Sequence, residues 1–267
     1  MYVIFNADDY GLSQGVNTGI IDSSNQGVVR STTLMVGMEA QQHGIDLLTT
    51  APSLKLGLHF RLTAGAALLS SSSLTDNYGQ FLTQDRFWPR TQFNENELFD
   101  ELSLQVEQFK KTGATLSHID SHHHVHTHPQ VLPVVLEVAK LHRVPVRGQG
   151  TGYQGNRSQG TRNKGKESRD QRKIAGGASL KRYCFSDVFY GDSVDVSTIV
   201  KEIKRLQAHT DVLEFMCHPA HLDESLKAQS SYYHQRATEL NTLTSEQLKE
   251  ALHEAQVTVT DYSILDE

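Results

Sequence analysis

The chain has 267 residues, 37 % hydrophobic and 21 % charged, with a formal net charge of −6 when histidine is neutral. That length holds one large domain or two small ones, and the acidic balance argues against a general binder of nucleic-acid phosphates. No stretch is long and apolar enough to cross a bilayer, so no membrane partner is expected.

The first unit reads strand, loop, helix. Tyr2 to Ala7 form an apolar strand with no basic n-region or cleavage site, so no signal peptide is expected. Asp8-Asp9-Tyr10-Gly11 follows as a polar turn, and Ser13 caps a helix through Val16, Ile20 and Ile21. Val28 to Met35 is rich in β-branched residues and predicts a second strand. Residues 38–49 predict a helix, and Lys55 to Phe60 a third strand with His59 near its end. Residues 63–93 read as an ordered loop that partly covers a site. Its Phe87 and Trp88 either contact a substrate or close a small core beneath the loop.

From Glu95 to Lys111, apolar residues at 98, 102, 106 and 109 mark one helical face. A short strand, Leu116 to Ile119, then delivers the densest chemistry of the chain. Six of the twelve residues from Ser117 to His128 are histidines. Neutral imidazole is the commonest side-chain ligand for divalent metals, so the run reads as a metal centre. The bland alternative is a polar turn with one or two ordinary buried histidines. If the backbone stays extended, His122, His124 and His126 share one face. His124 and His126 are then donors to the ligands or substrate contacts. Asp120 can orient a ligating imidazole. His118 reads as structural.

Residues 130–141 predict a helix and Val144 to Arg147 a strand. Arg147 either orients a carboxylate, binds an anion, or forms an ordinary ion pair. Residues 151–182 carry nine Lys or Arg and two acids. They are either a solvated loop or a basic flap over an anionic substrate. Ser197 to Ala208 predict a helix, and Leu213 to Cys217 a strand running into His218. Ser245 caps a final helix to about His253, and Val257 to Val259 form a last strand. Cys184 and Cys217 lack close metal spacing and read as buried thiols; so few cysteines fit a cytoplasmic location.

Strands alternate with helices, and polar residues follow strands at 8–9, 59, 118–126, 147 and 218. This predicts an α/β fold, an irregular TIM-barrel-like (β/α) barrel of mainly parallel strands with its site at the C-terminal strand ends. A doubly wound sheet would bring fewer strand ends to one pocket. The first turn also lacks the dinucleotide glycine fingerprint. One of the paired aspartates can bind metal while the other addresses water; the alternative is that both cap the following helix. His59 alone is more often a core histidine, but with an aspartate and the cluster it completes an Asp-His-His set. Such a set suits metal-assisted amide or ester hydrolysis.

Four segments carry a specific resemblance: Asn6-Ala7-Asp8-Asp9-Tyr10-Gly11-Leu12-Ser13, Gly57-Leu58-His59-Phe60, His118 to His126, and Phe215-Met216-Cys217-His218-Pro219-Ala220. Together they resemble the YdjC-like carbohydrate deacetylases, above all the chitooligosaccharide (chitin disaccharide) deacetylases. The similarity runs from Val3 to about Tyr262 as a single domain. It implies N-deacetylation of small chitin-derived sugars with release of acetate, and a divalent metal, magnesium by family. Two imidazoles also suit zinc, cobalt or manganese. By family pattern Asp9, His59 and His122 are the ligands. Asp8 is the general base, partly by similarity to the wider polysaccharide deacetylases, and His218 is the candidate acid or a pocket support. The family includes enzymes acting on phosphorylated sugars, so the basic segment at 151–182 is a candidate phosphate sensor. A homodimer is the commonest closed assembly and the default expectation. Two other functions stay open: a deacetylase or esterase acting on another acetylated metabolite, and a regulatory protein that binds sugar or metal without turnover.

Overall fold

The computed structural model describes residues 1–70, 72–148 and 181–265. Among the described residues seven strands make one sheet: β1 (Tyr2–Tyr10), β2 (Ser31–Leu34), β3 (Lys55–Phe60), β4 (Ile119–Ser121), β5 (Tyr183–Ser186), β6 (Val212–Cys217) and β7 (Thr258–Thr260). The path β4-β3-β2-β1-β6-β5 is parallel at every pairing. β6 lines one edge of β1. β7 and β2 share the other, β7 along Tyr2 to Ile4 and β2 from Asn6 onward. Beyond β4, Val146 bridges Ile119 in parallel. The result is an α/β fold with a curled half-barrel sheet, a distorted TIM-barrel-like architecture.

Nine helices accompany the sheet in the described residues: α1 (Gln14–Asn25), α2 (Gln41–Leu48), α3 (Gln84–Phe87), α4 (Glu95–Lys110), α5 (Leu132–His142), α6 (Val196–Leu206), α7 (Glu224–Gln229), α8 (His234–Thr244) and α9 (Glu246–Glu254). Ser13 caps α1 and Ser245 caps α9 through their hydroxyls, as their positions predict. Leu98, Leu102, Val106 and Phe109 are the buried apolar face of α4.

The strands sort their side chains with a period of two. On β1, Val3, Phe5 and Ala7 join the main core beneath the helices. Ile4 belongs to a separate cluster with Val212, Tyr262 and Ile264, and Asn6 and Asp8 continue the same inner row. β6 repeats the pattern. Leu213, Phe215 and Cys217 join the main core, while Val212 and Glu214 face the other way. The inner column is therefore apolar at the start of β1 and β6 and ionic nearer their ends.

Several elements differ from the sequence reading. Asp8 to Tyr10 lie within β1, not in a turn, and the register slips between Ala7 and Tyr10. β4 begins at Ile119, and Val144 to Arg147 make one bridge only, not a strand. Residues 122–127 form a 3-10 turn in which His123 and His124 are left-handed (φ 54° and 53°), so His122, His124 and His126 do not share an extended face. α3, β5, α7 and α8 are additional. Residues 151–180 of the basic segment lie outside the described residues. Of its last two, Arg182 pairs with Asp211 and Lys181 donates to the Ile264 carbonyl.

His118 is fully buried, with its ring stacked on Tyr262 at 3.7 Å. Burial, helped by nearby Arg147, pushes its pKa down to about 3. The unfolded chain protonates this imidazole below about pH 6.5 and the native one does not, so acid favours unfolding. His118→Gln should flatten the loss of stability between about pH 6 and 4.5 by roughly 1.4 kcal/mol per pH unit. Urea unfolding across that range tests this, and an unchanged slope would refute it.

Candidate metal centre and active site

Asp9 is the corner of the site. It is left-handed (φ 70°) at the bulge in β1, a conformation non-glycine residues rarely adopt. Strict alternation would send its carboxylate to the helix side; instead it turns back to β3 and the histidine turn. Asp9 Oδ1 lies 3.3 Å from His59 Nε2 and 2.8 Å from His122 Nδ1. The three ligand atoms of Asp9, His59 and His122 lie within 4.8 Å of one another.

Asp9 and His59 are each held from behind. Arg236 of α8 donates to Asp9 Oδ2 at 2.6 Å, leaving Oδ1 toward the imidazoles. Burial opposes ionisation of Asp9, but Arg236 and His122 hold its pKa well below the ordinary carboxylate range. His59 Nδ1 contacts Asp120 Oδ1 at 2.7 Å, which fixes the ring and points Nε2 at Asp9. Thr33 donates to Asp120 Oδ2 at 3.0 Å. Burial works against charging His59, yet Asp120 and Asp9 raise its pKa to about 10. The pocket thus favours positive charge where the three donors meet. One carboxylate and two imidazoles suit a divalent ion of the zinc, manganese or cobalt type and also admit magnesium.

Asp8 belongs to a different network. Arg147, fully buried, donates Nη1 to Asp8 Oδ2 and Nη2 to Asp8 Oδ1, both at 2.7 Å. The same guanidinium lies 3.0 Å from Asp120 Oδ2 and donates Nε to Glu214 Oε1 at 2.7 Å. Asn6 donates to Asp8 and Asp120. A second donor triplet, Asp8, His59 and Asp120, also falls within ligand reach.

His218 follows β6 and is buried. Its Nε2 is 4.0 Å from Asp8 Oδ2 and its Nδ1 is 4.0 Å from Glu239 Oε1. Its backbone N–H donates to Glu239 Oε2. Burial and then Arg236 push the His218 pKa down to about 3, so the resting imidazole is neutral. Burial raises the Glu239 pKa to about 8.

The remaining histidines have separate partners. His123 meets Thr63 at 3.0 Å, His126 meets Ser121 at 2.5 Å, and His124 packs edge-on to Phe185. His124, near Arg147, has its pKa pushed down to about 4, by burial first. His128 lies against Phe87, Trp88 and Phe93. Trp88 therefore packs in the aromatic cluster beneath its own loop. Arg236 and Glu239 escaped the sequence reading because α8 did. Their one signal is helical spacing, with Arg236, Glu239, Leu240 and Leu243 all buried on one face.

The chain belongs to the YdjC-like family, whose model matches residues 2–254. It is 43 % identical over 265 residues to a carbohydrate deacetylase of Vibrio parahaemolyticus serotype O3:K6, covering 99 % of this chain and 96 % of that one. It is 41 % identical over 270 residues to a carbohydrate deacetylase of Brevibacillus brevis, covering 99 % of this chain and 100 % of the relative. The fold is similar to that of a candidate cellobiose-phosphate cleavage protein of Enterococcus faecalis V583. There the TM-score is 0.82 and the identity 28 %, over 99 % of this chain and 98 % of the other.

Asp8→Asn and Asp9→Asn should separate the two networks. Asp9→Asn should weaken binding of a divalent ion at least about tenfold, since it removes a charged donor. Asp8→Asn should change it by less than about threefold, because Arg147 already occupies both its oxygens. Isothermal titration with zinc and with manganese measures both. Equal losses would reject the division.

Proposed function

We propose that this protein hydrolyses the N-acetyl amide of a small chitin-derived oligosaccharide, such as chitobiose or its phosphorylated form, and releases acetate. Family membership and the Asp-His-His cluster support metal-dependent carbohydrate deacetylation in general. The assignment to chitin-derived sugars rests on the four-segment resemblance. A phosphorylated disaccharide is also in keeping with the description of the Enterococcus relative.

Asp9, His59 and His122 hold the ion in this reading. When bound, a divalent ion polarises the amide carbonyl and makes water a better nucleophile. The chain's own residues do the rest. Asp8 accepts a proton from the attacking water as the water oxygen bonds to the carbonyl carbon. Its oxygens keep lone pairs for this beyond those used by Arg147. The neutral His218, 4.0 Å from Asp8 Oδ2, takes up the proton at Nε2. It passes the proton to the amide nitrogen as the C–N bond breaks, so the amine leaves neutral and the other product is acetic acid, which gives its remaining proton to solvent and becomes acetate. Glu239 holds the backbone of His218 in place through this transfer. The single observation that carries the reading is the separation of the two adjacent aspartates, one facing the imidazole pair and the other clamped by Arg147 beside His218.

Acetate release from chitobiose and its phosphorylated form tests the proposal. The chelated protein should be inactive, and one of magnesium, zinc, cobalt or manganese should restore turnover. His218→Ala should lower kcat by about 10² to 10⁴-fold, the usual weight of acid–base catalysis, while metal binding persists. Turnover of acetate esters alone, with none of the amides, would redirect the reading to an esterase. Sugar binding without any turnover would make the protein a binding module.

A further inference from the structure

An aromatic wall stands beside His218. Tyr190, in the loop after β5, stacks on Tyr232, the rings 4.2 Å apart and 9° from parallel. Both stand edge-on to His218, with centroids at 5.7 and 5.5 Å. Tyr232 is anchored twice. Its hydroxyl donates to Glu239 Oε1 at 2.5 Å and accepts from the Gly191 N–H at 3.2 Å. Gly191 is left-handed (φ 68°), a conformation glycine adopts without a side-chain penalty. The turn that carries Tyr190 is thus pinned by the hydroxyl of the ring it stacks on.

Against that support, Tyr190 remains 45 % exposed. An isolated exposed tyrosine needs no explanation. This one is backed by a second ring, anchored through the same glutamate that holds His218, and set at the C-terminal end of the sheet. A tyrosine ring offers a broad apolar face with a polar tip, and carbohydrate rings present apolar C–H faces between hydroxyls. A wall already rigid before binding loses little freedom when a ligand docks on it.

We infer that Tyr190, backed by Tyr232, is a stacking subsite for a pyranose ring of the carbohydrate substrate. This rests on the carbohydrate reading above. It places sugar recognition on the β5 side of the site, away from Trp88, which packs on Phe87 and His128.

The test uses the full chain, metal-loaded for kinetics, with Tyr190→Ala and Tyr190→Phe. Thermal unfolding confirms that each variant is folded. With chitobiose, Tyr190→Ala should raise KM roughly tenfold, the scale of one aromatic contact plus its buried area, and change kcat less than about threefold. Tyr190→Phe keeps the ring and should recover KM to within about threefold of the parent. Saturation-transfer NMR of chitobiose on metal-free protein supplies a readout independent of turnover. Transfer to the pyranose C–H protons should be strong in the parent and weak in Tyr190→Ala. An unchanged KM with unchanged transfer overturns the subsite. So does a fall in kcat at constant KM, which assigns Tyr190 to holding His218. A parent that binds chitobiose through Tyr190 but releases no acetate keeps the subsite and overturns the deacetylase reading. A parent that shows neither binding nor turnover overturns both.

Discussion

The structure depends on one buried cation. The Arg147 guanidinium lies inside the curled sheet and meets carboxylates from three strands, Asp8 of β1, Asp120 of β4 and Glu214 of β6. Burial disfavours its charge, but Asp120, Asp8 and Glu214 together keep it ionised far above the usual range. Three anions converging in a protein interior repel one another unless a cation is placed among them. Tyr183 and Tyr262 donate their hydroxyls to Glu214 and complete its coordination. The same contacts tie the bridged segment beyond β4, which carries Arg147, to β1 and β6. Structural integrity and the placement of Asp8 therefore come from one group.

Two arginines from distant parts of the chain sort the two adjacent aspartates. Arg147 takes both oxygens of Asp8, and Arg236 takes Oδ2 of Asp9. Asp9 keeps Oδ1 toward His59 and His122. The left-handed turn at Asp9 makes this sorting geometrically feasible, because a regular strand would put the two carboxylates on opposite faces of the sheet. His59 is shared by both halves, with Asp120 at Nδ1 and Asp9 at Nε2. It couples the ionic column to the proposed metal position.

Much of this was legible in the sequence, and the failures have physical causes. Strand-then-polar-residue alternation predicted a barrel-like sheet with chemistry at strand ends, and the sheet has that form. The end of β1 was misplaced because Asn6 and Asp8 face an ionic interior, so an apolar run understates the strand. The shared face of His122, His124 and His126 is conditional on an extended backbone, and two successive left-handed residues fold the run into a turn that no glycine marks. Arg236 and Glu239 were invisible because α8 buries a face that mixes charges with leucines, and hydrophobic periodicity does not register such a face. Their roles depend on contacts with Asp9 and His218, 227 and 21 residues away in sequence.

In the proposed mechanism Arg147 reserves Asp8 for proton chemistry and leaves the metal to Asp9. Anomalous diffraction from crystals loaded with zinc or manganese tests it most directly. One strong peak is expected within bonding distance of Asp9 Oδ1, His59 Nε2 and His122 Nδ1, with the Asp8–Arg147 pair intact. A peak bonded instead to Asp8, His59 and Asp120, the other donor triplet of the site, would contradict it.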